Sequence, residues 1–502
     1  MTTSAIESLL SAILLGAMLA ASAPVAAQQV TDSSITSWVN EALRHDPLVP
    51  ASEISVRTKE GIVTLSGRVD NLAAKNRVGR QASKIHGVRE VLNELTVAPS
   101  PLSDANIVYA VRRRILNDAT IVSQGIVVTS VDGNVTIMGE VANWSEAEEA
   151  ELLASAVGGV KNVKNELVTR YTATRSDQEI KNDAVAALHR DVYLTGFPIT
   201  AAVKDGVVSL TGSVGNAYQK RRAAQAARWV SHATFVKNEL VVKPEEKGEL
   251  RERAVYVSDD ALEEAIREEL AEDIRVDASE IEARASDGEV TLEGSVTNHA
   301  QKRIAEQDAR DVVGVAWVTN NLFVKTDQPE DWTIQGDVDF NLKTDSALAP
   351  FDLESRVKDG VVTLTGRVHD WSEKFHATDV AGRVRAVREV VNEIRVQPAT
   401  GTITKHSDAT VAKEIRDSFR RHWATSRVAD RIRVGVKDGV ATLTGDLDTW
   451  DERLEAGHVA FGTEGVWKVQ NRLTVKGYDY EWEKWEYEAP YYYYEELFPN
   501  VG

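Results

Sequence analysis

The segment Glu60-Gly61-Ile62-Val63-Thr64-Leu65-Ser66-Gly67 decides the fold of this chain, because its pattern recurs six times along the 502 residues. In each copy two glycines stand six residues apart, and an acidic residue precedes the first glycine. An acidic residue followed by glycine is typical of a tight hairpin turn, since glycine accepts the positive φ that such turns need. We therefore interpret these glycines as structural: Gly61/Gly67, Gly133/Gly139, Gly206/Gly212, Gly288/Gly294, Gly360/Gly366 and Gly439/Gly445.

An amphipathic helix is predicted before each hairpin. An Asp lies 29 residues before the first glycine in five copies and 31 residues before it in the sixth, and apolar residues follow that Asp at positions +3, +7 and +11. This spacing forms one apolar stripe on a helix. Because Asp is a favoured N-cap residue, we predict N-caps at Asp32, Asp104, Asp177, Asp259, Asp331 and Asp408.

A second helix and a third strand are predicted after the hairpin. The second strand of the first copy alternates, with Val63, Leu65, Gly67 and Val69 on one face. Glycine weakens a strand unless something requires it, so we predict that this glycine makes room for a closely packed helix. A later Gly-Val step, as at Gly87, is predicted to cap that helix. The helix would place a small residue over the sheet at Ala82, Ala154, Ala227, Ala309, Ala381 and Ala460.

The repeat therefore predicts an α+β protein built as a tandem array of six α-β-β-α-β modules. An Asn recurs 26 residues after the second glycine in every copy, as at Asn93 in the third strand. The six modules are assigned to residues 30–98, 102–170, 174–243, 259–325, 329–397 and 405–476.

These repeated residues resemble the BON domain, a module of bacterial envelope proteins named for osmotically inducible periplasmic proteins and nodulation proteins. The resemblance covers about residues 30–476. It implies that each module has a three-stranded mixed sheet with two helices packed on one face. It also implies a periplasmic location, a role in envelope or osmotic stress, and phospholipid binding, with no catalytic residues.

The lengths of the connecting segments predict how the modules are grouped. From each recurring Asn to the next Asp there are 11 or 12 residues within modules 1–3 and between modules 4 and 5, but 21 before module 4 and 16 before module 6. We therefore expect modules 1–3 to pack together, modules 4 and 5 to pack together, and module 6 to stand apart. Residues 244–258 are charged and are assigned as a linker.

The two ends of the chain differ from the modules. Residues 1–27 are assigned as a cleaved signal peptide, since an uncharged apolar run ends in small residues at Val25 and Ala27. A retained N-terminal anchor is the alternative. Residues 477–502 form an acidic, aromatic tail, which is either a disordered extension or a segment that docks on a module, a partner or a membrane boundary.

Composition excludes several classes of function. The 58 basic and 77 acidic residues give a net charge of −19, which does not fit a nucleic-acid partner. The chain has no cysteine, so disulfides and thiolate chemistry are excluded. Histidines occur singly, and His369 and His376 are interpreted as solvated polar residues near a helix start. We expect no catalytic residues, no metal and no cofactor.

Two kinds of residue are candidates for lipid contact. Trp144, Trp371 and Trp450 follow the second glycine by five residues, and they either enter a membrane interface or pack against the following helix. Basic residues cluster on two predicted helices, where they either approach an anionic surface or form solvated faces. These clusters are Arg112, Arg113, Arg114, Lys220, Arg221 and Arg222.

The sequence supports two functions. The first is a non-enzymatic exported protein that binds phospholipid or membrane surfaces and supports the envelope under osmotic stress, which rests mainly on the family resemblance. The alternative is a periplasmic scaffold or chaperone-like adaptor that binds envelope proteins through acidic modules and the aromatic tail. The net charge of −19 favours the alternative, because it opposes the approach of the chain to an anionic membrane.

Overall fold

The computed structural model describes residues 30–44, 46, 49, 53–99, 102–170, 175–244, 246, 258–315, 317–325, 330–369, 371–397, 407–448, 450–463, 465–475 and 487–488. The predicted signal peptide lies outside these residues, as do most of the linker and most of the tail. In the described part the order helix, strand, strand, helix, strand repeats six times, as the sequence predicts.

Each module contains two helices, and the first carries the predicted apolar stripe. In module 1 the stripe residues Ile35, Val39 and Leu43 are at most 2% exposed. The first helices are α1 (Asp32–Arg44), α3 (Asp104–Asn117), α5 (Asp177–Arg190), α7 (Asp259–Glu272), α9 (Asp331–Thr344) and α11 (Asp408–Arg421). The second helices are α2 (Leu72–Ser83), α4 (Trp144–Ser155), α6 (Ala217–Trp229), α8 (His299–Asp311), α10 (Trp371–Gly382) and α12 (Trp450–Phe461).

The strands follow the same repeat. The first strands are β1 (Ile54–Lys59), β5 (Val127–Val131), β8 (Ile199–Lys204), β12 (Ile281–Ser286), β16 (Glu354–Lys358) and β21 (Arg433–Lys437). The second strands are β2 (Ile62–Val69), β6 (Asn134–Val141), β9 (Val207–Val214), β13 (Glu289–Val296), β17 (Val361–Thr365) with β18 (Arg367–Val368), and β22 (Val440–Leu447). The third strands are β3 (Glu90–Asn93) with β4 (Thr96–Val97), β7 (Asn162–Thr169), β10 (Phe235–Asn238) with β11 (Val241–Val242), β14 (Trp317–Asn320) with β15 (Phe323–Val324), β19 (Glu389–Asn392) with β20 (Arg395–Val396), and β23 (Lys468–Val475).

The second strand lies at the centre of each three-stranded mixed sheet. In module 1 it pairs with the first strand antiparallel, from Ile54 opposite Gly67, and with the third strand parallel, from Ile62 opposite Glu90. Both helices pack on one face of the sheet, where Val63 and Leu65 are fully buried. Each module thus has its own hydrophobic core.

The hairpin turns have the geometry that the acidic-glycine pairs predict. In module 2 both Asp132, with φ of 52°, and Gly133, with φ of 78°, adopt left-handed backbone conformations. Two consecutive positive φ values define a type I′ turn, whose twist matches that of the flanking strands. The other five modules repeat this pair of positive φ values, with the glycine at Gly61, Gly206, Gly288, Gly360 and Gly439.

The recurring Asp was wrongly predicted as an N-cap. It is the first helical residue, and in module 2 the cap is Ser103, which accepts the N–H of Asn106. The carboxylate of Asp104 instead accepts the N–H groups of Asp132 and Gly133, at 2.9 Å each. Equivalent bonds to the turn are made by Asp32, Asp177, Asp259, Asp331 and Asp408. This Asp therefore ties the first helix to the hairpin turn.

The second glycine of each pair was also predicted for the wrong reason. Gly67 is exposed rather than buried under a helix, and its φ is +123°. A Cβ at this position would overlap the backbone carbonyl oxygen of Glu53, just before the first strand. The requirement for glycine is therefore a backbone one, and it does not come from the second helix.

The same correction applies to the second glycine of the other five modules. None of these glycines is buried, and their φ values lie between +112° and +146°. In each of them a Cβ would overlap the backbone carbonyl oxygen of the residue fourteen positions earlier. The five residues are Gly139, Gly212, Gly294, Gly366 and Gly445. The recurring Ala residues are nevertheless fully buried, as expected of a helix packed closely on the sheet.

The recurring Asn and the Gly-Val step fix the region after the second helix. The side chain of Asn93 donates to the carbonyl of Lys75 in α2, at 2.7 Å, and accepts the N–H of Leu95. Gly87 does not cap α2, which ends at Ser83. It lies, with φ of +87°, inside a turn closed by the bond from Val88 N–H to the carbonyl of Ile85.

The array folds back on itself, which contradicts the predicted grouping of modules. Isolated antiparallel β-bridges join module 1 to module 6, module 2 to module 5, and module 3 to module 4. The bridge between modules 1 and 6 pairs Ile85 with His422, so module 6 does not stand apart. Sequence spacing misled the prediction because partners lie far apart along the chain. Residues 244–258 join the two paired halves at modules 3 and 4.

Candidate functional site

The residues of the Arg112–Arg114 cluster lie partly at the surface and partly in the interface between modules 2 and 5. Arg112 is exposed on α3. Arg113 pairs with Asp337 of α9 at 3.0 Å and lies over the Phe340 ring at 4.0 Å. Arg114 is buried and donates to Asp345, which follows α9, at 3.1 Å. Among these three arginines, Arg112 is the one whose side chain faces solvent.

The second basic cluster is packed against other residues instead of forming a free patch. Arg222 is buried and pairs with Asp191 of its own module at 2.6 Å and with Asp311 of module 4 at 2.5 Å. Arg221 is half-buried beside the Tyr218 ring, and Lys220 is half-buried. Arg222 is therefore not available to a membrane surface, because an ion pair with a distant module encloses its charge.

The structure does not show the tryptophan candidates at a free surface either. Trp144 is half-buried, and the Arg228 guanidinium of module 3 lies 5.9 Å from its ring centroid. Arg228 also pairs with Glu148, so this corner forms a contact between modules 2 and 3. Trp371 and Trp450 begin α10 and α12, but their side chains lie outside the described part of the structure.

Exposed apolar residues lie on both α3 and α9. Tyr109 and Leu116 of α3 are 59% and 56% exposed, with Arg112 between them, and Trp332 of α9 is 73% exposed. Residues 109, 112 and 116 recur at helical spacing, so they lie on one side of α3. We call Tyr109, Arg112, Leu116 and Trp332 the α3–α9 face.

Side-chain contacts join α3 to α9. Arg113 meets Asp337, and the Tyr109 ring meets the Phe340 ring edge-on at 5.7 Å. Arg114, the next residue of α3, reaches Asp345 just after the last turn of α9. Trp332 lies in the first turn of α9, and Leu116 lies in the last turn of α3. Exposed Trp, Tyr, Leu and Arg side chains on these two helices match the chemistry of a membrane–water boundary.

Buried ion pairs also hold modules 2 and 5 together. Arg383 of module 5 pairs with Glu149 of module 2 and approaches Asp118 at 4.0 Å. Burial and the Asp118 charge raise the pKa of Glu149 to about 7, although Arg383 opposes the shift. Burial also raises the pKa of Asp118. Two buried carboxylates thus share one guanidinium, which favours retention of a proton by the pair.

The sequence analysis did not identify one recurring interface residue. A buried Asp lies fourteen residues after the helix-start Asp in five modules, and His422 takes that position in module 6. Every one of these positions except Asp46 forms a β-bridge to a paired module. The repeat spacing was visible, but its role depends on contacts with distant modules. The aspartates are Asp46, Asp118, Asp191, Asp273 and Asp345.

The two histidines singled out in the sequence do not both lie in solvent. His376 is largely buried, and its Nε2 lies 2.9 Å from a carboxylate oxygen of Asp345. His369 is exposed but packs edge-on against the Phe351 ring at 5.0 Å. Both histidines line one cavity between modules 1, 2 and 5, so the interpretation of His376 as a solvated residue was wrong.

The fold and these interfaces define a class of protein, an array of small α-β-β-α-β modules that pair through the ends of their helices. The BON domain family model matches residues 31–99, 103–171, 176–244, 258–326, 330–398 and 407–477. These matches cover most of the chain. The chain therefore belongs to the BON domain family.

Curated relatives match about two modules of the chain. Osmotically-inducible protein Y of Escherichia coli (strain K12) is 32% identical over 146 residues, which are 28% of this chain and 73% of that protein. Outer membrane lipoprotein DolP of Haemophilus influenzae is 30% identical over 141 residues, which are 27% of this chain and 72% of that protein.

Solved structures give weaker similarity. The C-terminal domain of CdsD, a structural protein of the type III secretion system of Chlamydia trachomatis, is 15% identical and has a TM-score of 0.12. That match covers 45% of this chain and all of the domain. The family assignment therefore rests on the sequence matches.

Proposed function

We propose that this chain is an exported, non-enzymatic periplasmic protein that binds the phospholipid surface of the cell envelope and supports the envelope under osmotic stress. Family membership supports this setting, as do two of its relatives, an osmotically inducible protein and an outer membrane lipoprotein. The α3–α9 face is the observation that carries the lipid part of the proposal. No helix among the described residues is long and apolar enough to cross a membrane, and a peripheral surface of this kind does not require one.

The face favours insertion of apolar side chains over attraction by charge. Trp332, Tyr109 and Leu116 supply the apolar area, and Arg112 supplies one cation near the headgroups. Arg114 and Arg222, which would have added to a basic surface, are buried in ion pairs. With a net charge of −19, the chain should prefer a weakly charged membrane, and its binding should depend little on salt.

Flotation of residues 28–502 with vesicles tests this proposal. We expect binding to zwitterionic phospholipid vesicles, and a partition coefficient about tenfold lower in Trp332→Ala, because a large apolar side chain contributes roughly 1.5–3 kcal/mol when buried. Phe323→Ala is the matched control, since Phe323 is 61% exposed but lies in module 4. Equal loss in both variants, or no flotation of the unmodified chain, would contradict the proposal.

One observation favours the alternative of a protein-binding adaptor. Tyr487–Glu488 of the tail form a short strand, β24, which pairs antiparallel with Lys468 and Val469 of β23. The outer edge of a third strand can thus accept an extended peptide, and strand addition is a recurrent mode of peptide binding. If the chain is an adaptor, deletion of residues 477–502 changes the capture of unfolded envelope proteins and leaves vesicle flotation unchanged.

A further inference from the structure

A cavity of about 410 Å³ lies where modules 1, 2 and 5 meet. Its volume falls in the range of small-molecule sites, which are concave and largely apolar with a few polar groups. Apolar walls come from all three modules, with Val49 from module 1, Leu153 from module 2, and Phe351 and Val380 from module 5. The fold-back of the array creates the cavity, because module 5 closes over modules 1 and 2.

Basic side chains from the three modules converge on this cavity. Arg77 and Arg80 of α2, Arg114 of α3 and Arg383 after α10 all contribute to its lining, together with His376. Three of these guanidinium groups are held in ion pairs, Arg77 with Asp46, Arg114 with Asp345 and Arg383 with Glu149. Guanidinium groups recognise carboxylates and phosphates, so an N–H group that these ion pairs leave unpartnered would favour an acidic ligand.

Carboxylates also line the cavity. Asp379 pairs with Arg303 of module 4, and Glu373 accepts the N–H of His369 at 2.7 Å. Asp70 is exposed. With Asp345, these acids equal the four guanidinium groups of the lining in number, so net charge alone does not select the ligand.

One corner of the cavity is formed by Asp345, Arg114, His376 and Ser346. Arg114 and His376 both bond to the Asp345 carboxylate, at 3.1 and 2.9 Å. Although burial would raise the pKa of Asp345, the charge and hydrogen bond of His376 and the charge of Arg114 hold it below its ordinary value. The carboxylate thus remains charged, and it orients both basic groups at this corner.

The same corner has buried polar atoms that the described residues do not satisfy. Within the described part of the chain, no hydrogen-bond partner meets Nε or Nη1 of Arg114, Nδ1 of His376 or the hydroxyl of Ser346. The Arg114 side chain is 97% buried, since its exposed fraction is 3%. Unsatisfied buried polar groups are rare in native proteins, and such groups can bind a water, an ion or a ligand.

We propose that this cavity binds a small organic anion, with its carboxylate or phosphate at the Arg114 corner and an apolar body against Val49, Leu153, Phe351 and Val380. The site is separate from the α3–α9 face, so it does not depend on the proposed membrane binding. The acid group supplies acceptors for the unpartnered donors, and the apolar body fills the remaining volume.

Calorimetric titration of residues 28–502 with monomeric decanoate tests the site, with decanol and acetate as matched probes. Decanol has the ten-carbon alkyl chain without the charge, and acetate has the charged carboxylate without the long alkyl chain. We expect one decanoate per protein and at least tenfold weaker binding of either matched probe. Titration with decyl phosphate and with inorganic phosphate distinguishes an amphiphile from a free anion. Equal affinity for decanol, or for acetate or inorganic phosphate, overturns the proposal.

Two substitutions locate the bound anion. Ala347 lines the cavity, so Ala347→Phe should fill it and weaken decanoate binding at least tenfold. Ala349→Phe is the matched control, because Ala349 is exposed two residues away and does not line the cavity. Arg114→Gln should also weaken binding, and Ala347→Phe keeps the test decisive if loss of Arg114 disturbs folding. If Ala347→Phe leaves decanoate binding unchanged, the proposed site is wrong. Loss of vesicle flotation in Trp332→Ala would concern only the proposed membrane binding.

Discussion

At the scale of single residues, backbone geometry explains why the repeat keeps its polar and glycine positions. Asp104 holds the hairpin turn of its module through two N–H groups, and Asn93 holds the third strand to the second helix. Gly212, with φ of +118°, passes so close to the Pro198 carbonyl that no side chain fits. Each module is therefore fixed by a few local bonds in addition to its core.

Substitution of the second glycine should be far more harmful than substitution of a helical glycine. Gly212→Ala would force both a strained φ and an overlap with the Pro198 carbonyl, so we expect a loss of about 2–4 kcal/mol in unfolding free energy. Gly336 lies in α9 with open space around its Cα, and Gly336→Ala should instead stabilise the chain by about 1 kcal/mol. Denaturant unfolding measures both. Similar effects in the two variants would contradict this explanation.

These residues also show what sequence could and could not predict. The spacing of Gly61 and Gly67 correctly predicted the hairpin and the structural role of both glycines. It could not identify the reason for Gly67, because the clashing carbonyl belongs to a residue before the paired strand. The role of Asp104 was assigned wrongly because its partners lie 28 and 29 residues later, beyond the reach of local capping rules.

At the scale of elements, the helices carry both the module cores and the module interfaces. The apolar stripe of α3 faces its own core, and its other sides face module 5 and solvent. The stripe was predictable because core packing follows helical periodicity. Arg113 and Arg114 were taken for surface residues, since nothing in the sequence shows which helix sides another module covers.

The start of α8 is an interface that should respond to pH. The ring of His299 lies against Gly382 of α10, and burial together with the Arg303 charge lowers its pKa from 6.5 to about 3. A lowered folded-state pKa means that His299 contributes stability above pH 6.5, and that this contribution is lost as the pH falls towards 3.

The His299→Gln variant isolates this contribution. Between pH 7.5 and pH 5 the unfolding free energy of the unmodified chain should fall by about 2 kcal/mol more than that of His299→Gln. Chemical unfolding at the two pH values measures this difference. Parallel pH dependence of the two proteins would show that the imidazole is not held in its neutral form.

At the scale of the whole molecule, the fold-back creates every surface to which we assign a function. It buries Arg114 and Arg222, brings α3 beside α9, and closes the cavity between modules 1, 2 and 5. Sequence repetition predicted six modules and their internal fold. It could not predict which modules pair. The bridging residues carry no signal in the sequence that identifies their partners, which lie in distant modules, as Val384 does for Asp118.

The two halves of the molecule should remain together when the connection between them is cut. Cleavage at a protease site placed within residues 244–258 would break the covalent connection between modules 1–3 and modules 4–6. The buried pairs of Arg222 with Asp311 and Arg383 with Glu149 cross between the halves, so we expect the fragments to elute together on size exclusion. Separation of the fragments at low salt would count against the pairing.

The most direct test of the fold-back is a disulfide between modules 1 and 6, which lie at opposite ends of the array. Ile85 and His422 face each other in an antiparallel bridge, and the adjacent residues make its hydrogen bonds, a geometry that brings Cα atoms within disulfide range. The chain has no native cysteine, so Ile85→Cys with His422→Cys gives an unambiguous readout. We expect this pair to oxidise readily, and Ile85→Cys with Val384→Cys, which bridges module 2 instead, to stay reduced. Failure of the first pair to form, or equal oxidation of both pairs, would contradict the account.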